Sequence, residues 1–280
     1  MCYHIAFEVK LESILDVFPD LIVDHQLDVD FPTAGHISGF LHKPHQVMMT
    51  SRKDGKKHLA LMMWGIVPKW IPNFAEAQKM WNGYKDDKGQ WKKGIVTLNA
   101  IGEEMFEKTM YKEAAEQRRC VVFVDAFYES YHYFPIGKKG QRLKTPEPHP
   151  FHIKLKDNPY PFFMMAGIWD VWKHTEKNET TGELETLSTP CFAIVTTKAN
   201  ALMEKIHNSK KRMPVILNKE MAEEWISDGL SKERITEMAS YQYPAEQMEA
   251  YTIPRNYYEL ENPRIKQSYP HLQEELPEFC

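Results

Sequence analysis

The feature that most limits how this chain can fold is a set of short runs that are apolar on both faces. Residues 120–124, 162–169 and 191–196 carry almost no polar side chain, and 58–64 reads much the same. Successive side chains on a strand point to opposite faces, so a strand with one solvated face alternates apolar and polar residues. A continuous apolar run of this length requires cover on both faces. Further strand patterns fall at 47–49, 151–155 and 248–253. The set predicts a closed or well-covered sheet.

Helical spacing appears between these runs, at 11–17, 74–84, 103–119, 199–206 and 220–226. The segment 103–119 shows it best. Met105, Phe106, Met110 and Ala114 recur on one face, acids lie early, and Arg118 and Arg119 lie late, as the helix dipole prefers. Asn99 precedes that helix and could cap it or point its amide into a site; Asn218 is placed to cap 220–226. Three stretches have loop chemistry: 85–94, 135–150 and 173–188. The expected architecture is α+β, with a single β-rich, barrel-like domain over 1–255. Peripheral helices and these three insertions decorate it. A proline-containing tail over 256–280 is expected to be irregular.

Composition excludes several function classes. A net charge of −4 argues against a general nucleic-acid coat but leaves room for a local basic groove. Candidate basic clusters are Lys92 with Lys93, then Lys138, Lys139, Arg142 and Lys144, then Lys210, Lys211 and Arg212. The four cysteines, Cys2, Cys120, Cys191 and Cys280, include no pair at zinc-ligand spacing. No metal and no cofactor are expected. Cys120 and Cys191 open strand runs and read as buried thiols. Acids at Glu8, Glu12, Asp16 and Asp20 interrupt the first twenty residues, and no stretch approaches eighteen apolar residues. The expectation is a cytoplasmic protein with no membrane segment.

Cys2 follows Met1 directly. Removal of an initiator Met ahead of a small residue would leave an α-amine of pKa about 7.7–8.0 beside a thiol of about 8.5. This 1,2-aminothiol forms an imine with an aldehyde and then closes to a thiazolidine. The same group could attack an amide carbonyl as an N-terminal nucleophile. Four further segments carry groups with a chemical use. Trp64 to Trp70 form a Gly- and Pro-shaped turn flanked by indoles, which could stack on nucleobases or pack in the core. Asn99 lies before the best helix. Glu129 follows Phe127 and Tyr128, where partial desolvation would raise its pKa toward general acid–base use. His207 is a proton carrier suited to neutral pH, and Arg212 offers a fork for phosphate.

These segments, in this order, resemble the SOS-response-associated peptidase family, whose members sense abasic sites in single-stranded DNA. The resemblance rests on Met1-Cys2, Trp64 with Pro68 and Trp70, Asn99-Ala100, Arg119-Cys120 with Phe127-Tyr128-Glu129, and His207 with Arg212-Met213-Pro214. It implies a β-rich barrel-like fold and a covalent thiazolidine link to the ring-opened sugar through Cys2. It implies that Asn99 orients the terminus and the sugar, that Glu129 is the acid–base group, and that His207 donates a proton. It places Trp64, Pro68, Trp70, Arg212 and Met213 as DNA contacts, with abasic single-stranded DNA as the partner, and it implies a monomer that is nucleoid-associated in a bacterium. Two alternatives stand beside it: a thiol peptidase or autopeptidase using Cys2, and a non-covalent single-stranded DNA binding module. The chain departs from the family pattern at His4 and Ile101, where arginines are expected, and at Ser130, where a tryptophan is expected. It also inserts Asn208 to Lys211 before Arg212, where Lys210 and Lys211 would restore local charge.

Overall fold

The computed structural model describes residues 2–25, 27, 31–276 and 279. Met1, Pro277 and Cys280, on which expectations above fall, lie outside the described residues. The strands in chain order are β1 (His4–Phe7), β2 (Ile22–Val23), β3 (Ala34–Ser38), β4 (Pro44–Thr50), β5 (Lys57–Trp64), β6 (Tyr84–Lys85), β7 (Trp91–Lys92) and β8 (Asn99–Ile101). They continue as β9 (Arg119–Val124), β10 (Ala126–Tyr133), β11 (Glu147–Leu155), β12 (Phe163–Lys177), β13 (Leu184–Lys198), β14 (Arg212–Pro214), β15 (Ile216–Leu217) and β16 (Met248–Thr252).

Pairing explains the two-sided apolar runs. Strands β13, β12, β9, β4 and β5 pair in turn, and a parallel contact of Cys191 with Met63 and Phe192 with Trp64 joins β13 back to β5. The result is a closed, barrel-like ring. Alternate residues of its strands feed two separate cores. On β9, Val121 and Phe123 enter one, while Cys120, Val122 and Val124 enter the other. On β13, Cys191, Ala193 and Val195 part from Phe192 and Ile194 in the same way. The first core is covered by helices, through Ile14, Ala114, Ala115 and Trp225. The second is covered by a five-stranded sheet of order β16-β11-β10-β1-β3, through Ile5, Phe127, Phe151 and Ile153. Cys120 and Cys191 are fully buried thiols, as expected.

Helices Leu11–Val17, Phe74–Asn82, Ala201–Ile206 and Lys219–Trp225 fall where the spacing places them. Asn73, Asn200 and Asn218 cap three of them by accepting backbone N–H groups. The structure corrects the expectation over 103–119, because the helix is only Thr109–Gln117 and Asn99 does not cap it. The chain from 102 to 108 is held in turns, with Gly102 N–H donating to Thr196 O and the Glu103 carboxylate engaged by Arg212. It also corrects the loop expected at 173–188. There β12 and β13 continue as a hairpin from Asp170↔Cys191 to Lys177↔Leu184. Beyond the buried Trp172 and His174 most of its residues meet water, so polar ones dominate and erase the strand pattern. The loop expected at 85–94 carries the short β6–β7 hairpin. The described residues from Tyr257 onward form two short 3-10 turns, Tyr257–Glu259 and Pro270–Leu272, joined by irregular chain, and they pack closely. Leu272 is fully buried, Tyr269 and Leu276 are buried, and the Phe279 ring meets Phe151 edge-on at 5.1 Å. Glu275 binds Tyr131 and Arg142.

This packing predicts that Leu272→Ala costs about 2–4 kcal/mol, the range for emptying a buried leucine site. Leu184→Ala, at the 74% exposed hairpin tip, should change stability by less than about 0.5 kcal/mol. Urea unfolding of the two variants checks the contrast.

Candidate functional site

A cleft of about 240 Å³ opens where the sheet meets the loop after helix Ala201–Ile206. Its walls are Tyr3, His4, Tyr128, Glu129, Ser130, His132, His207, Ser209, Lys210 and Tyr257. Strand β1 runs antiparallel to β10 with His4 opposite Tyr128, so the chain ahead of β1 passes beside Glu129. Glu129 is nearly buried and lies between Tyr128 and Ser130 on β10. Burial lifts its carboxyl to about 7, because a charge in an apolar surround lacks hydration.

His207 ends its helix, with its N–H donating to Met203 O at 2.8 Å. Its Nδ1 lies 2.9 Å from Arg212 O. A carbonyl oxygen only accepts, so Nδ1 carries the proton and Nε2 is the basic nitrogen. That Nε2 stands 3.9 Å from Glu129 Oε2. Burial lowers the imidazole to about 4, so His207 is neutral at pH 7. A second clamp fixes the loop: Asn208 accepts from His132 N–H at 2.9 Å and donates to His132 O at 3.0 Å. The lengthened segment 208–211 therefore anchors to β10 and brings Ser209 and Lys210 into the cleft wall. Lys211 turns away to Glu204, at 2.7 Å.

Asn99 reaches the site from the other side. It sits on β8, which pairs in parallel with β13, and its Nδ2 donates to Cys2 O at 2.8 Å. Its Oδ1 is buried without a partner among the described residues. Cys2 is fully buried, and burial pushes its thiol well above the ordinary range, with the nearby Glu129 charge adding to this. Glu129 and His207 thus wall the cleft, while Cys2 and Asn99 lie buried behind it, joined by the Nδ2–O hydrogen bond.

The expected DNA contacts divide. Trp70 is 67% exposed, at the tip of its turn, and lines a second groove with Asn99 and Ile101. Trp64, Pro68 and Met213 are buried, which corrects their assignment to a contact surface. Trp64 stacks on Phe192 at 6.0 Å and donates its indole N–H to Leu98 O at 3.0 Å. Gly65 makes that turn possible: its φ is +121°, and a Cβ there would lie 2.6 Å from His42 Nδ1. Arg212 is also committed internally, donating to Glu103 at 2.7 and 3.2 Å and to Thr196 O at 2.6 Å. His4 contacts His36, 2.9 Å between ring nitrogens, and burial lowers it to about 4. It is thus a neutral group at the position where an arginine was expected.

Nothing in the sequence singles out His36 or Tyr257. Tyr257 stacks on Tyr128 at 4.8 Å and joins the cleft from a distant segment. Among the described residues, no group of three or more His, Cys, Asp or Glu is placed to hold a metal ion. No helix among them is long and apolar enough to cross a membrane.

Fold and site together define a barrel-like α+β protein with a buried acid and a neutral imidazole in one cleft, beside the chain segment that holds Cys2. The chain belongs to the SOS response associated peptidase (SRAP) family, whose match spans residues 1–258. It is 29% identical to the abasic site processing protein YoqW of Bacillus subtilis, over 86% of this chain and 90% of that one. It is 25% identical to the abasic site processing protein YedK of Escherichia coli, over 75% and 74% of the two chains. A crystal structure of a protein from Bacteroides thetaiotaomicron superposes with a TM-score of 0.72 at 24% identity, covering 95% of this chain and all of that one.

Desolvation of Glu129 yields a stability prediction. The native carboxyl holds its proton up to about 7, whereas an unfolded one releases it near 4.3. Between those values the native state binds more protons, so this group's contribution to stability falls as pH rises. Glu129→Gln should therefore gain stability relative to the parent on going from pH 4 to pH 8. Paired urea titrations at the two pH values read the difference.

Proposed function

We propose that this protein captures abasic sites in single-stranded DNA as a covalent thiazolidine on Cys2, after Met1 has been removed. The observation that carries the reading is the convergence of a buried acid, a neutral imidazole and the Asn99 amide on the chain segment holding Cys2. The family membership and the names of the relatives, abasic site processing proteins, support the same substrate.

The chemistry balances without a cofactor. The free amine of Cys2 adds to the aldehyde carbon of the ring-opened sugar, and loss of one water gives an imine. The thiol then adds across the C=N bond: sulfur bonds to carbon, and its proton ends on nitrogen. Glu129, poised near neutrality, gives a proton to the departing water and takes one from the thiol as the ring closes. His207, with Nε2 free of a proton, accepts and returns a proton at the sugar hydroxyl or at Glu129. This refines its role from a donor to a relay, since the Arg212 carbonyl fixes the proton on Nδ1. Asn99 holds the Cys2 backbone in register and turns its amide oxygen to the site. Trp70 stacks on a base beside the lesion, and Lys210 supplies the cleft with positive charge.

A thiol peptidase would use the same cysteine. It would need a thiol lowered toward neutrality, and burial here acts in the opposite direction. An imine formed first by the amine relieves that demand, because the thiol can pass its proton to Glu129 as it adds.

The test is incubation of the mature chain with abasic single-stranded DNA, followed by denaturing electrophoresis. A band that survives denaturation is expected. It should vanish in Cys2→Ala and in a chain that keeps any residue ahead of Cys2, while thermal unfolding of both stays near the parent's. Equal crosslinking by Cys2→Ala would overturn the proposal.

A further inference from the structure

A cavity of about 510 Å³ shares no wall residue with the cleft. Arg52, Lys69, Arg118, Trp169, Asp170 and Lys173 line it. Arg118 is 8% exposed and ion-paired to Glu113 at 2.9 Å and to Asp170 at 3.0 Å. Lys69 shares the same two acids, at 2.6 and 3.9 Å. Four cations thus meet two anions, and four minus two leaves a surplus of two positive charges. That surplus stands out in a chain whose net charge is −4. No ion pair to Arg52 or Lys173 occurs among the described residues. The Nε of Arg118 is buried without a hydrogen-bond partner among them. A guanidinium has five donors, and a buried one with unmet donors calls for a further acceptor.

Residues 69 and 70 link this cavity to a groove on the Cys2 side. Asn99, which holds Cys2, lines that groove of about 490 Å³, and so does Trp70. Lys69, the neighbour of Trp70 in sequence, lines the cationic cavity. One turn therefore puts an exposed indole in the groove and an ammonium in the cavity. A strand lying in that groove would meet a stacking surface and then a concentrated positive charge.

We infer that this cavity is an oxyanion site that takes a backbone phosphate of the strand whose lesion lies in the cleft. The inference rests on the function proposed above for the substrate, and on the cavity alone for the anion. It accounts for the departures at His4 and Ile101. Positive charge expected beside the chemistry is replaced there by neutral groups, and this cavity supplies charge further along the strand.

The test uses the full chain with its mature N-terminus and the double variant Arg52→Ala/Lys173→Ala. Both side chains are exposed, so the fold tolerates their removal. Binding of an undamaged strand of about twenty nucleotides is measured across a salt series. The variant should bind about five- to tenfold more weakly at low salt, and its log–log salt slope should fall by about 0.7, the value for one lost phosphate contact on a single strand. Arg52→Lys/Lys173→Arg should restore both. Crosslinking to an abasic dinucleotide, the shortest strand that carries the lesion, should match the parent. Unchanged affinity and slope for the long strand would overturn the inference. So would calorimetric binding of inorganic phosphate that the double variant loses while its long-strand affinity stays whole, which would mark a free-phosphate site. If the parent fails to crosslink the short strand, the proposed chemistry fails, and the salt slopes still report on the cavity independently.

Discussion

Strands buried on both faces are the constraint on which the rest of this structure depends. Such a strand has no edge or face to give to water, so its backbone groups must pair and both side-chain rows must find cover. The ring of β13, β12, β9, β4 and β5 meets the backbone demand. Helices on one face and a second sheet on the other meet the side-chain demand. The site follows from that closure. Strand β13 carries β8 and β14 along its edge, and these bring Asn99 and the Arg212 carbonyl to their positions. The covering sheet brings Glu129 on β10 and the chain start on β1.

The site's reactivity is a product of desolvation. An exposed carboxylate would be fully ionised at pH 7, and an exposed imidazole partly protonated. Burial moves Glu129 up and His207 down. The pair thus becomes a protonatable acid beside a neutral base near physiological pH. The fold bears the cost of holding these polar groups out of water, offset by the hydrogen bonds of His207 to Arg212 and of Asn208 to His132.

Cationic and aromatic residues turn out to have two distinct uses here. Arg212 binds Glu103 and the Thr196 carbonyl, so it braces the turn after β8. Trp64 fills the space between the ring and Leu98. Trp70, six residues on, and Lys210 remain at the surface of the groove and the cleft. Residues of one kind therefore divide between holding the scaffold and standing at the surface, and exposure alone separates them.

The sequence by itself determined the two-faced strands, four of the helices, the Asn218 cap of one of them, and the order of the motif residues, because these depend on local periodicity and residue chemistry. It also pointed to Glu129 and His207, whose neighbours are aromatic or helical in sequence. It could not reveal the β12–β13 hairpin, whose solvated faces carry no apolar period, or the shortened helix after Asn99, where Arg212 competes for Glu103 from 109 positions away. The burial of Trp64, the arrival of Tyr257 at the cleft and the surplus charge around Arg118 were decided by tertiary structure alone. Each depends on segments far apart in the chain meeting in space, and solvent access, which sets both pKa and ligand contact, exists only after they meet.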